Sequence, residues 1–270
     1  MGLRINQNIA AINAYRNLST TESQLGKSLE KLSSGFRINR AADDAAGLVI
    51  SESLRSQIGG LKVATRNAQD GVSFVQTAEG GLQEVHSMLQ RMRDLTVQAA
   101  NGSNSPAAVA AAQAEVDQLA LAINDIATKT DFNGIKLLDG SAASVTFQVG
   151  ANSTDTLDVT LEDMTAGTLA VDALVLTDAA GSLTAVDAAI ASVSSFRGNL
   201  GAYQNRLEHT IANLGVTVEN LAASESRIRD TDMAQEMVAF TRAQILSQAG
   251  TAMFAQANQS SQGVLQLLRG

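Results

Sequence analysis

Val186, Val193, Leu200, Leu207, Leu214, Leu221 and Ile228 are apolar and stand seven residues apart. A helix carrying such a row keeps one side against a partner helix for six heptads. The spacing predicts a long helix over 183–229. A second row, Leu54, Leu61, Ala68, Val75, Leu82 and Leu89, predicts another from about Asp43 or Asp44, either of which can cap it, to Asn101-Gly102. Its companion positions slide from Ile58 and Val72 on one side to Val85 and Met92 on the other. A straight helix drifts by about 20° per heptad, so this sliding is what a helix pair requires.

The remaining pattern divides cleanly. Residues 3–33 read as an amphipathic helix with Ile5, Ile9, Ile12, Leu18, Leu25, Leu29 and Leu32 on one stripe, stopped by Ser33-Ser34-Gly35. Ser105-Pro106 opens a third helix, with rows Val109, Val116, Ile123 and Ala112, Leu119, Ile126, ending near Lys129. Between 131 and 182 the period falls to two: Val145, Phe147 and Val149, then Leu157, Val159 and Leu161, alternate with polar residues and predict hairpins. Phe132-Asn133-Gly134-Ile135 is a turn signal, and 163–182 reads as a poorly specified excursion. After a break at Arg229–Asp232, residues 233–268 predict a last helix of about 54 Å, carrying Met233, Met237, Phe240, Ile245, Met253, Val264 and Leu268. The fold class is therefore mainly α: long antiparallel helices in a coiled-coil or bundle hairpin, with a small β-hairpin region in the middle.

Composition sharpens this picture. Hydrophobic residues make up 45% of the 270 but aromatics only 3%, so alanine, leucine and valine must do the packing, which suits helices more than a ligand cavity. One proline, Pro106, permits long uninterrupted helices. The absence of cysteine excludes disulfides and thiolate metal sites. The net charge of −8 is uneven: +2 over residues 1–60, −10 over 61–230 and 0 over 231–270. An acidic middle argues against nucleic-acid binding. No apolar run approaches 18 residues, so membrane insertion is not expected. The first residues lack an apolar segment, so no cleavable secretory signal is expected.

Candidate chemistry is sparse. Ser28-Leu29-Glu30-Lys31 has the spacing of an acyl-transfer nucleophile but lacks its companion motifs. His86 and His209, the two histidines, stand on long helices without a metal-ligand cluster. Asp43 and Asp44 point apart on a helix and serve better as caps. No phosphate-cradling or dinucleotide glycine motif is present, and Asp230-Thr231-Asp232 lacks the rest of a calcium loop. The sequence points to no catalytic residue, metal or cofactor. The terminal stripes are too thin to fold alone. Both ends are thus expected to order only when neighbouring copies cover them. The last helix also carries an uncharged wet side with Gln235, Gln244, Gln248, Gln256, Asn258, Gln259, Gln262 and Gln266, suited to lining a narrow conduit.

RINRAADDAAGLVISESLRSQI (37–58), LQRMRDLTVQAANG (89–102), FNGIKLLDG (132–140), FQVGA (147–151), NLGAYQNRLEHTIANL (199–214) and AQILSQAGTAMFAQANQSSQGVLQLLR (243–269) together resemble bacterial flagellin, in order and at both ends of the chain. The resemblance implies a minimal form without large outer domains. Residues 1–42 and 231–270 would form a discontinuous terminal coiled coil in the inner core of a filament. Residues 43–230 would form an outer bundle containing the β-hairpin region 131–182. Ile5, Ile9, Ile12, Leu18, Leu25, Leu29, Leu32, Met237, Phe240, Ile245, Met253, Val264 and Leu268 would then pack the coiled coil and polymer. The resemblance further implies a swimming filament outside the cell, subunits passed by an export chaperone to the flagellar export apparatus, and hook-associated and cap proteins as neighbours. A hook–filament junction protein of the same superfamily, or a non-polymerising coiled-coil binding module, are the alternatives. In some flagellins the stretch similar to LQRMRDLTVQ binds a host innate immune receptor; the matching positions are Leu89, Gln90, Arg91, Leu95 and Gln98, with Glu115 beside them.

Overall fold

The computed structural model describes residues 7–267, with side chains described for 7–260. Ile5, Leu268 and the side chain of Val264 lie outside the described residues. The elements in chain order are α1 (Ile9–Ser34), α2 (Ala45–Ala99), α3 (Pro106–Lys129), β1 (Asp131–Phe132), β2 (Ile135–Lys136), β3 (Ser144–Gln148), β4 (Thr156–Thr160), α4 (Ala179–Arg229) and α5 (Met233–Leu267). Side-chain caps set most helix starts. Asn8 accepts from Ala11 N, Ser105 from Ala108 N, Asp44 from Gly47 N and Asp232 from Ala234 N. Of the two expected caps for α2, Asp44 takes the role, while Asp43 accepts from Asn39 and Arg40 N and closes the preceding turn.

The chain divides into two units, residues 57–219 and residues 1–56 with 220–270. Both α2 and α4 run through the boundaries of these units, which therefore fall inside helices.

Unit 57–219 holds nearly all of the apolar core. Leu61, Ala68, Val75, Leu82 and Leu89 of α2 are buried, as are Val186, Val193, Leu200, Leu207 and Leu214 of α4. The two helices run antiparallel: Arg93 pairs with Asp187 at 2.7 Å and Arg197 with Glu79 at 3.4 Å. α3 lies against α2, with Val116 and Ile123 buried and Arg91 of α2 paired to Glu115 of α3. Phe74 of α2 meets Phe132 of β1 and Phe147 of β3 edge-on, at 5.8 and 5.4 Å between ring centres, and so ties both hairpins to the helix. The β1–β2 turn places Asn133 and Gly134 at φ 51° and 82°, the left-handed pair that a two-residue hairpin needs. In the second hairpin Val145 faces Val159 and Phe147 faces Leu157.

Two sequence expectations change here. The segment 163–178 is not a loose excursion: Met164, Ala166, Leu169, Val171, Leu174 and Leu176 are buried and join the core. Gln113 of α3 holds it, donating to Leu174 O at 2.7 Å and accepting from Leu176 N at 2.8 Å. Its apolar residues obey neither a helical nor a strand period, because they are spaced by turns. Secondly, a window of α4 reaches a mean hydropathy of 1.2 over 18 residues, apolar and long enough by composition to cross a membrane. Alanines raise that average; the large side chains Val186, Val193, Phe196 and Leu200 are buried in this unit, and 28% of the window as a whole is buried.

In the terminal unit α1 and α5 pair antiparallel. Asn8 lies beside Ala257, Tyr15 beside Phe254 and Lys31 beside Glu236. The covered positions of α1 are Ala11, Ala14, Leu18, Thr21, Leu25, Ser28 and Leu32, alternating three and four apart. Those of α5 are Glu236, Phe240, Ala243, Ser247, Gly250, Phe254 and Ala257, in the same alternation. Where α1 ends, Arg37 N donates to Arg229 O, Thr231 N donates to Gly35 O, and the Arg229 guanidinium lies 4.7 Å over the Phe36 ring while pairing with Glu52 at 2.8 Å.

Candidate assembly surface

The α1–α5 seam is narrow, and small residues make it so. One of its two rows on α1 is Ala14, Thr21 and Ser28, and Gly250 of α5 lets Leu18 approach to 3.2 Å of where a Cβ would stand. Close backbones leave the larger apolar side chains on the outside. The single stripe expected on α1 therefore splits. Leu18, Leu25 and Leu32 are half-buried in the seam, whereas Ile9, Ile12 and Leu29 are exposed. On α5 Phe240 is half-buried, whereas Met237, Ile245 and Met253 are exposed. Met237, Val238, Thr241, Arg242, Ile245 and Leu246 line an open groove of about 520 Å³.

Among the described residues of this unit, the only buried apolar side chains are Ala11, Ile38 and Ala243. Against them stand Ile9, Ile12, Tyr15, Leu29, Phe36, Val49, Ile50, Met233, Met237, Val238, Ile245, Leu246 and Met253, all exposed. A monomer rarely shows so much apolar surface without a partner for it. The exposed amides Gln244, Gln248 and Gln256 share α5 with these residues. Leu221 and Ile228, the last two members of the α4 row, are half-buried, unlike the five before them.

The patch on α2 and α3 is rearranged by the fold. Leu89 and Leu95 are 0% and 3% exposed, so they belong to the core and offer no apolar knob to a partner. Residues three or four apart share one side of a helix, and Leu89, Met92 and Leu95 lie together on the inward side of α2. Gln90, Arg91, Gln98 and Glu115 are exposed. Arg91 and Glu115 form an ion pair at 2.7 Å, and that bond raises the affinity of the Arg91 guanidinium for its proton. Among the described residues no three His, Cys, Asp or Glu converge as metal ligands. His86 has a buried Nδ1 without a hydrogen-bond partner and no acidic or second histidine cluster beside it.

Comparison with known proteins gives the family. Residues 5–143 match the bacterial flagellin N-terminal helical region and 183–268 the bacterial flagellin C-terminal helical region. A flagellin of Halalkalibacterium halodurans is 54% identical over 270 residues, covering 98% of this chain and 99% of its own. The flagellar filament 33 kDa core protein of Treponema phagedenis is 47% identical, covering 98% and 99%. The crystal structure of Bacillus cereus flagellin is similar with a TM-score of 0.50 at 34% identity, over 59% of this chain and 94% of that one. A putative flagellar hook-associated protein from Vibrio parahaemolyticus, at 16% identity and a TM-score of 0.59 over 70% of this chain and all of that one, shares the fold alone. The matched family is structural and not enzymatic. With both terminal regions matched and a relative of this identity along the full length, the chain belongs to the bacterial flagellin family.

Proposed function

We propose that this chain polymerises with copies of itself into the flagellar filament and transmits motor torque passively for swimming. The observation that carries the reading is the imbalance among the described residues of the terminal unit: three buried apolar side chains against a long set of exposed ones. Covering one large apolar side chain contributes about 1.5–3 kcal/mol. Association costs about 4–15 kcal/mol before any gain is visible. One covered residue cannot offset that, but covering the outer faces of both α1 and α5 can. Growth at an end that contacts several neighbours at once is therefore favoured over pairing in solution.

Unit 57–219 has its own core and needs no neighbouring copy to cover it. Before assembly the outer face of α5 needs cover, which suits an export chaperone that delivers the subunit to the flagellar export apparatus. Cap and hook-associated proteins would meet the same faces at the filament ends. The exposed, uncharged amides of α5 suit a conduit along which unfolded subunits of either charge pass. On the α2–α3 surface, Gln90, Arg91, Gln98 and Glu115 offer a charged fork and acceptors to a host innate immune receptor.

Seeded growth followed by electron microscopy tests the reading. The full chain should elongate short filament seeds. Ile12→Asp with Ile245→Asp should abolish elongation while leaving the thermal transition of unit 57–219 unchanged. Filaments of normal length from that double variant would refute the assembly role of these faces.

A further inference from the structure

The chain has seven methionines, and the fold sorts the six within the described residues into two groups. Met92 and Met164 are 0% and 2% exposed and Met88 is half-buried, all in unit 57–219. Met233, Met237 and Met253 are 48%, 50% and 65% exposed, and all three stand on α5. A thioether reacts with oxidants in proportion to its exposure, and its sulfoxide is polar where the parent was apolar. The three accessible thioethers thus sit on the face that this chain would bury against further copies, with Met237 in the open groove beside Val238 and Ile245.

We propose that Met233, Met237 and Met253 are the sites at which peroxide-class oxidants reversibly disable the free subunit for assembly. The disabling part of this inference rests on the filament reading above. In the reaction, a sulfur lone pair attacks one oxygen of hydrogen peroxide. The S–O bond forms as the O–O bond breaks, and the departing oxygen takes up the remaining proton and leaves as water. The thioether is oxidised to the sulfoxide and the peroxide is reduced. A sulfoxide brought into an apolar interface loses its water without gaining a donor, so growth slows. The lesion stops at the sulfoxide, which the two epimer-specific methionine sulfoxide reductases reverse. Once the filament has formed, the same sulfurs are covered and react slowly. Oxidation then acts on subunits in transit and spares those in place.

The experiment uses the full chain and hydrogen peroxide. Peptide mass spectrometry over a time course should show one added oxygen at positions 233, 237 and 253 on the order of tenfold sooner than at 92 and 164. Comparable rates at all five positions would overturn the site assignment. Oxidised subunits should then elongate seeds on the order of tenfold more slowly than untreated ones. Sulfoxide reductases should restore the rate, and M233L, M237L and M253L combined should make growth indifferent to peroxide. Oxidised subunits with three confirmed sulfoxides that elongate at the untreated rate would overturn the assembly effect. So would equal peroxide sensitivity in the triple variant. Untreated subunits that never elongate seeds would refute the filament reading itself, with the oxidation map of the free subunit still deciding the sites.

Discussion

The side-chain amide of Asn8 donates to the backbone carbonyl of Ala257 at 2.9 Å, joining residues 249 apart in sequence. Its other end accepts from Ala11 N at 3.0 Å. One amide therefore caps α1 and sets its register on α5. Asn8→Ser keeps an acceptor for the cap but cannot reach Ala257, whereas Asn8→Ala loses both. Losing the cap costs about 1 kcal/mol and the second bond about as much again. Filament melting temperatures should fall in the order wild type, Ser, Ala. Equal values for wild type and Ser would show that the contact with Ala257 contributes nothing, and equal values for Ser and Ala would show the same of the cap.

Gly71 is buried where α2, α4 and β3 meet. A Cβ there would stand 3.2 Å from Leu207 Cδ1 and 3.4 Å from Phe147 Cδ1. Gly71→Val should destabilise unit 57–219 by about 1–3 kcal/mol through overpacking. Leu207→Ala, at a fully buried seam position, should cost about 2–5 kcal/mol. The two together should cost less than their sum, because the smaller side chain makes room for the larger. Denaturant unfolding of the four proteins measures this coupling, and strict additivity would reject the contact.

Asp163 anchors the buried segment at its start. Burial works against its charge, but donation from Thr168 Oγ1 at 2.6 Å and from Thr165 N at 2.9 Å outweighs burial and holds its pKa below the ordinary aspartate value. A carboxylate with a lowered folded pKa contributes stability above its unfolded pKa, and that contribution is lost as pH falls through the folded one. The melting temperature of wild type over Asp163→Asn should thus be highest near neutral pH and converge in acid, below the ordinary aspartate range. A difference that grows on acidification would contradict the assignment.

Arg91 and Leu95 should separate binding from folding. Arg91 is exposed, so Arg91→Ala should leave the melting temperature nearly unchanged and weaken receptor binding. Leu95 is buried, so Leu95→Ala should lower stability by about 2–5 kcal/mol and reduce binding only as far as it unfolds the site. Undiminished binding by Arg91→Ala would remove this patch from consideration.

The relation between sequence and structure differs from element to element. The rows Leu61–Leu89 and Val186–Leu214 are legible because each member is apolar and the helix repeats its exposure every seven residues. The α1 seam was only half legible. Leu18, Leu25 and Leu32 announce one row, but Ala14, Thr21 and Ser28 carry no apolar signal, and the larger Ile9, Ile12 and Leu29 draw attention to the outer face. In the candidate receptor patch, family resemblance named six residues together, yet two of them point into the core.

Local periodicity by itself determined the helices, their breaks, the hairpins and the mainly α class, because those depend on neighbours within a few turns of chain. The tertiary structure alone decided which apolar face is covered within one chain and which is left for another. It also decided that 163–178 is core, through Gln113 and the underside of α3. Burial belongs to pairs of distant segments, and a residue's own type states only that it prefers cover, not who provides it.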